Sequence, residues 1–371
     1  MFNNRKANLV LTIVFLMILL LPSALFAFAK NYVDTENHEN RKLASFPDKD
    51  TAIIDLPEAF DAWYIDHLPF KNQFTAANSL LQISLFNTTT SPRVIVGREG
   101  WLFFNNYDAD DNPITDILGE NEFTKGERNT ILSNIENCAA RYPDKEFLLL
   151  IAPNKENIYR EMLPDYLLER AVTDSRVDLL YDELSKKTDR VVYPRTELLA
   201  AAADNQVYYK YDTHWNLLGG YVGVRAVCGR LGVTLPELSK LKICDSGIDY
   251  PRDLAALAGI QSRSNDDREL YPSAFGTDIA VDSSTYTFSE GSVIYTSTAA
   301  DNRKVMFIHD SFYKSMVSYL PLVFSDVLSV DRNYYDLHSC HAAIEHFQPD
   351  IIIMEVAERG AVLLKHENMP Y

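Results

Sequence analysis

Val305 to Leu320, VMFIHDSFYKSMVSYL, decides the fold: an apolar run ends at Asp310, and a pattern of helical spacing begins directly after it. A short continuous apolar run bounded by turn residues is the signature of a strand buried on both faces of a sheet. Comparable runs occur at EFLLLIAPN (Glu146 to Asn154), RVVYP (Arg190 to Pro194), DVLSVD (Asp326 to Asp331) and DIIIMEVAE (Asp350 to Glu358). Helical periodicity fills most of the intervals, over 174–186, 196–203, 216–231, 312–324 and 339–347. Alternating strand and helix predicts an α/β class, a doubly wound parallel sheet with helices on both faces.

Working outward, Phe123 to Tyr142 is helical in spacing, and RVIVGREGWLFF (Arg93 to Phe104) reads as a β-hairpin turning around Gly97 and Gly100. Leu56 to Phe86 spaces apolar residues by three and four, predicting one or two amphipathic helices divided near Pro69. Residues 235–300 are polar and rich in Ser, Asp and Tyr, which suggests an insertion at the sheet rim where substrate loops lie. The expected organisation is a membrane anchor or signal segment over 1–29, a linker with amphipathic helices over 30–90, and a catalytic body over 91–371.

Arg5 and Lys6 precede an uncharged apolar run from Leu9 to Ala29. That run is long enough to span a bilayer, and positive residues before it direct the remainder outside the cytoplasm. Ala27-Phe28-Ala29 also fits a small-x-small cleavage site, so an uncleaved anchor competes with a removed signal peptide. The expected location is the cell membrane with an extracytoplasmic body, or a secreted or periplasmic protein if the segment is cleaved. The net charge of -17 argues against nucleic acid as a partner. Cys138, Cys228, Cys244 and Cys340 include no C-x-x-C pair, so neither a zinc knuckle nor a thioredoxin-type redox site is signalled.

Ser311 lies at the junction of the decisive strand and its helix, where a hydroxyl points into the crevice and helix N–H groups can face an oxyanion. Serine is also a preferred helix N-cap, and that bland explanation stands beside the nucleophile. A nucleophilic serine needs a base. YYKYDTHWNLLGGYVG (Tyr208 to Gly223) offers Asp212 and His214, two apart and on one side of an extended backbone. Asp212 or Thr213 as a helix cap, or the pair as metal ligands, are the alternatives. No third and fourth ligand is evident, and His338 and His341 around Cys340 read as a solvated helix, so no metal or other cofactor is expected. Trp215 is either core packing or a sugar platform. Arg332 and Tyr334 follow a strand at the same edge and are candidate oxyanion or substrate contacts.

Taken in order, several blocks resemble the alginate O-acetyltransferase family of the AlgX and AlgJ type, including relatives with a D-x-H-W motif. They are Glu39-Asn40-Arg41-Lys42-Leu43 with Phe46-Pro47, Gly97-Arg98-Glu99-Gly100-Trp101-Leu102-Phe103, and Ala152-Pro153-Asn154-Lys155 with Ile158-Tyr159 and Leu163-Pro164. Asp212-Thr213-His214-Trp215, Asp253-Leu254-Ala255, Asp310-Ser311-Phe312 and Glu355-Val356-Ala357-Glu358-Arg359 follow. The resemblance implies an SGNH-hydrolase-like fold with Ser311 as nucleophile, His214 as base and Asp212 as its orienting acid, the acid and base preceding the nucleophile in sequence. It further implies O-acetylation of an exopolysaccharide or cell-envelope polysaccharide, with acetyl supplied by a membrane-bound O-acyltransferase partner. A carbohydrate acetylesterase with the same triad, or a non-catalytic polysaccharide-binding scaffold of an export complex, are the rival expectations. His309 stands where the family has Gly and is read as a core histidine at a strand end.

Overall fold

The computed structural model of the chain describes residues 5–33, 35, 42–49, 51–247, 252–261, 267–273, 275–285, 291–334 and 337–366. Glu39, Asn40 and Arg41 of the first motif block lie outside the described residues. The chain divides into two units, Met1–Ser91 with Ala255–Arg263, and Pro92–Leu254 with Ser264–Tyr371.

In the first unit, helix Arg5–Ala29 has a 22-residue stretch, Asn8–Ala29, of mean hydropathy 2.8, long and apolar enough to cross a membrane. A signal sequence satisfies the same test. The amphipathic segment forms two helices, Leu56–Asp66 and Lys71–Phe86. They break around Pro69, where Phe70 takes a left-handed φ of 58°.

Among the described residues the second unit carries eleven strands: β1 Val94–Val96, β2 Leu102–Phe104, β3 Glu146–Ala152, β4 Val191–Val192, β5 Lys242–Asp245, β6 Leu270–Ser273, β7 Val281–Thr285, β8 Ser292–Ser297, β9 Asp301–His309, β10 Phe324–Asp331 and β11 Ile351–Ala357. β1 and β2 form the expected hairpin. The main sheet runs β4-β3-β11-β9-β10-β8-β7, with the first five strands parallel. The pleat sends alternate residues to opposite faces. On β9, Val305 and Phe307 join one core cluster with helix Leu217–Arg230, while Met306 and Ile308 join the other with helices Lys125–Arg141 and Leu337–Phe347. Both faces are therefore covered, as the apolar runs predict. Helix Lys125–Arg141 begins with a capping box in which Thr124 and Glu127 satisfy each other's backbone N–H.

Two expectations need correction. The sheet is not wholly parallel, because β8, from the segment read as a rim insertion, pairs antiparallel with β10, and β7, from the same segment, pairs antiparallel with β8. β7, exposed along its length, and the partly buried β8 lack the apolar run that marks a central strand, and strands at the margin of a sheet gain hydrogen bonds without needing two buried faces. The predicted helix over 312–324 is only Tyr313–Met316, followed by a 3-10 turn at Leu320–Leu322. Pro321 has no backbone N–H to donate, so a helix cannot run unbroken through it to residue 324. Among the described residues, none of Cys138, Cys228, Cys244 and Cys340 is in a disulfide.

Five parallel strands ending at one edge set Lys155, Glu358, Arg359, Asp310, Ser311 and Arg332 along the same rim. In a doubly wound sheet this is the edge where ligands bind.

Candidate active site

The loop from Tyr208 to Asn216 folds back on itself, with Asn216 N–H donating to the Val207 carbonyl at 3.0 Å and Tyr209 N–H to the His214 carbonyl at 3.2 Å. Asn216, not Asp212 or Thr213, caps the helix Leu217–Arg230 by accepting from Gly219 N–H at 3.1 Å. The carboxylate of Asp212 is thereby left for other work. Its Oδ1 accepts from His214 N–H at 3.0 Å and from the ring Nδ1 at 2.5 Å. The two side chains meet through a tight side-chain turn, not through the extended backbone that the spacing suggested.

His214 Nε2 lies 2.7 Å from Ser311 Oγ, across 97 residues of sequence. With Nδ1–H donating to Asp212, Nε2 is left as the acceptor for the serine hydroxyl proton. Ser311 does not cap its helix. The N-cap position is Phe312, and it makes no side-chain cap bond.

Ser311 is fixed by its neighbours. Asp310 Oδ1 accepts from Phe312 N–H at 3.0 Å, and Oδ2 accepts from Ala357 N–H at 2.8 Å. Asp310 N–H donates to Glu355 Oε2 at 3.0 Å. The Trp215 indole N–H donates to the Phe312 carbonyl at 2.8 Å, and Ser315 Oγ–H to the Trp215 carbonyl at 3.2 Å. Trp215 thus ties the loop that bears His214 to the turn that bears Ser311.

The charges reinforce this arrangement. Burial opposes charge on both Asp212 and His214, but their mutual attraction and hydrogen bond outweigh it. Asp212 is held below the usual carboxylate range and His214 above the usual imidazole range. Asp253 adds a second carboxylate, its Oδ2 3.7 Å from Nδ1 and its backbone N–H on Asp212 Oδ2 at 2.9 Å. It also accepts from Thr213 N–H at 2.8 Å and Thr213 Oγ1–H at 2.5 Å. Burial and the adjacent Asp212 push the Asp253 carboxyl up.

Asp212, His214 and Asp253 are grouped closely enough to share a cation. Both imidazole nitrogens are committed, however, so an ion there would displace either the Asp212 or the Ser311 hydrogen bond. His341 bonds Tyr142 and stands apart from this group.

The remaining sequence candidates sort differently. Trp215 is fully buried, so it is a brace and not a sugar platform. Arg332 sits 3.9 Å from Asp310 Oδ2 and, after the opposing effect of burial, helps hold that carboxylate ionised beside Ser311. Tyr334 ends the short turn Arg332–Tyr334, and its side chain lies outside the described residues. His309 is buried as expected, bonded to Ser329 Oγ at 2.7 Å and stacked on Tyr313. Lys155, Asp253 and Arg359, whose guanidinium lies 5.6 Å from the ring centroids of both Phe312 and Phe104, were not singled out from the sequence. All three fall within motif blocks, but nothing local distinguishes their contacts.

Comparison with known proteins agrees with this architecture. Residues 94–263 match the family model described as an SGNH hydrolase-like domain, acetyltransferase AlgX, a span that includes Lys155, Asp212, His214 and Asp253 but stops before Ser311. The chain is 27% identical over 177 residues to the probable alginate O-acetylase AlgJ of Pseudomonas putida, covering 46% of this chain and 42% of that protein. It is 23% identical over 189 residues to the probable alginate O-acetylase AlgJ of Pseudomonas syringae pv. tomato, covering 50% and 44%. The alignments therefore span under half the length of these curated relatives. Among solved structures, Bacillus cereus PatB1 shares the fold with a TM-score of 0.50 at 14% identity, over 72% of this chain and 96% of that one. Residues 94–263 are thus similar to the SGNH hydrolase-like domain of acetyltransferase AlgX, and about half of the chain is similar to AlgJ proteins.

Proposed function

We propose that this chain is an O-acetyltransferase that moves acetyl groups onto hydroxyls of an exopolysaccharide or cell-envelope polysaccharide through a serine acyl-enzyme. The observation that carries the reading is the hydrogen-bonded series Asp212, His214 and Ser311, with links of 2.5 and 2.7 Å at the ligand-binding edge of the sheet. Ser311 Oγ attacks the acetyl carbonyl carbon of the donor while its proton passes to His214 Nε2. The tetrahedral intermediate collapses, the leaving group takes that proton, and acetyl-Ser311 remains. A sugar hydroxyl then gives its proton to Nε2 and attacks the same carbon. Collapse releases the acetylated sugar and returns the proton to Ser311. Asp212 keeps the ring in the working tautomer and stabilises the imidazolium in both halves.

The apolar N-terminal helix supports a body outside the cytoplasm, whether the helix stays as an anchor or is removed. Acetyl reaches this side of the membrane through a membrane-bound O-acyltransferase partner. Turnover of an activated acetyl ester by the full chain, with and without oligosaccharide, tests the proposal. Acetylated sugar that disappears in Ser311→Ala is the expected result. Release of acetate alone would make the protein an esterase, and no turnover in either format would make it a scaffold.

A further inference from the structure

The chemistry above makes no use of Lys155, a fully buried lysine directly beyond β3. An ammonium in a protein interior costs several kcal/mol unless its donors are satisfied. Here Nζ donates to the carbonyls of Tyr209 at 3.2 Å, Lys210 at 3.3 Å and Asp212 at 2.5 Å. An ammonium has three N–H donors and no acceptor, so three carbonyls match its protonated form. A neutral amine would turn its lone pair toward an oxygen. The ammonium also lies 5.8 and 5.4 Å from the ring centroids of Trp101 and Phe103.

The same loop is gripped from its amide side. Asp267 accepts from Lys210 N–H at 2.7 Å and Tyr211 N–H at 2.9 Å. A cation thus collects the carbonyls and an anion the amides. One of those carbonyls belongs to Asp212, whose carboxylate orients His214 two residues on.

We propose that Lys155 is a positioning residue, whose buried ammonium gathers the carbonyls of Tyr209, Lys210 and Asp212 and so fixes the Asp212 to His214 turn at proton-transfer distance from Ser311. The inference rests on the triad reading of the preceding section. Burial drives the Lys155 pKa down, against the carboxylates of Glu156, Asp253, Asp267 and Asp212. His214 is faced by Asp212, Asp253, Arg359 and Ser311, and Arg252 stands 3.6 Å from Asp267. Removing the lysine charge leaves Asp212 and Asp253 less compensated, which favours imidazolium and raises the His214 pKa.

The test measures sulfonylation of Ser311 by phenylmethanesulfonyl fluoride in the full chain in detergent micelles, a reaction that needs no polysaccharide. The serine Oγ–S bond forms, fluoride leaves, and the hydroxyl proton passes to His214. Lys155→Met removes all three donors, and Lys155→Gln, the milder variant, keeps two. A loss on the order of 100-fold for Met, with Gln between Met and wild type, is the expected result. Both variants should unfold cooperatively, and the acid limb of the rate should move to higher pH. Folded variants with the wild-type rate, or with a lower rate and an unmoved limb, would overturn the assignment. Failure of both variants to fold would also overturn it, in favour of a role in folding alone. A wild-type protein that is not labelled at Ser311 would sink the triad reading, and this inference with it.

Discussion

Gly220→Ala puts the packing of the site to the sharpest test. Gly220 lies in the first turns of helix Leu217–Arg230, directly after the loop that bears His214, and it faces the turn that follows Ser311. A Cβ at this position would stand 2.5 Å from Ser315 Cβ and 2.7 Å from both the Ser315 carbonyl carbon and its oxygen. Ordinary contact begins near 3.4 Å, and most of the atoms met are backbone that cannot rotate away. The two elements must part by about 1 Å, at a cost of about 1–3 kcal/mol for an overfilled site. The gap between His214 Nε2 and Ser311 Oγ, now 2.7 Å, would open beyond hydrogen-bond range. A misplacement of about 1 Å costs roughly 100-fold in rate. The assay is initial-rate hydrolysis of an activated acetyl ester by the full chain, paired with urea unfolding. Gly229→Ala, in the same helix with nothing within 4 Å of a Cβ, is the control and should gain about 0.5–1 kcal/mol with unchanged rate. A Gly220→Ala protein with wild-type stability and turnover would refute the argument.

Three further outcomes follow from the charges and the N-terminal helix. His214 must be neutral to accept the serine proton and its pKa is raised, so activity should fall with falling pH along a limb above the ordinary imidazole value of 6.5. Asp212→Asn should move that limb down; a wild-type limb below 6.5 contradicts the assigned base. Burial pushes His309 from 6.5 down to about 4, so between those values the unfolded chain binds a proton that the fold excludes. Its contribution is complete above pH 6.5 and lost as pH falls toward 4, on the order of 3 kcal/mol. Urea titrations across that range should show a shallower decline in His309→Asn, and equal slopes would remove His309 as the cause. Protease added to intact spheroplasts should digest the chain beyond Lys30, whereas protection equal to a cytosolic control would reject the proposed topology.

Much of the architecture is legible in apolar period and order. Each of the runs at Glu146, Arg190, Val305, Asp326 and Asp350 becomes a parallel strand, because a strand covered on both faces must be apolar on both. The proposed acid, base and nucleophile were legible as residue types beside turns. β7 and β8 were not, since strands at the margin of a sheet need partners for their backbone but no continuous apolar signature. The helix after Ser311 was overextended because spacing registers apolar residues and underweights Pro321.

By itself, then, the sequence determined the layered α/β core, the apolar N-terminal helix and the residues able to carry out proton transfer, all of which follow from periodicity and side-chain chemistry within a few residues. Only the tertiary structure decided which of them meet. His214 reaches Ser311 across 97 residues because the loop before helix Leu217–Arg230 folds against the turn that follows β9, and Trp215 goes inside as a brace with its N–H on the Phe312 carbonyl. Lys155 is silent in sequence for the same reason, since its three partners are backbone carbonyls, which every residue possesses and only folding can gather.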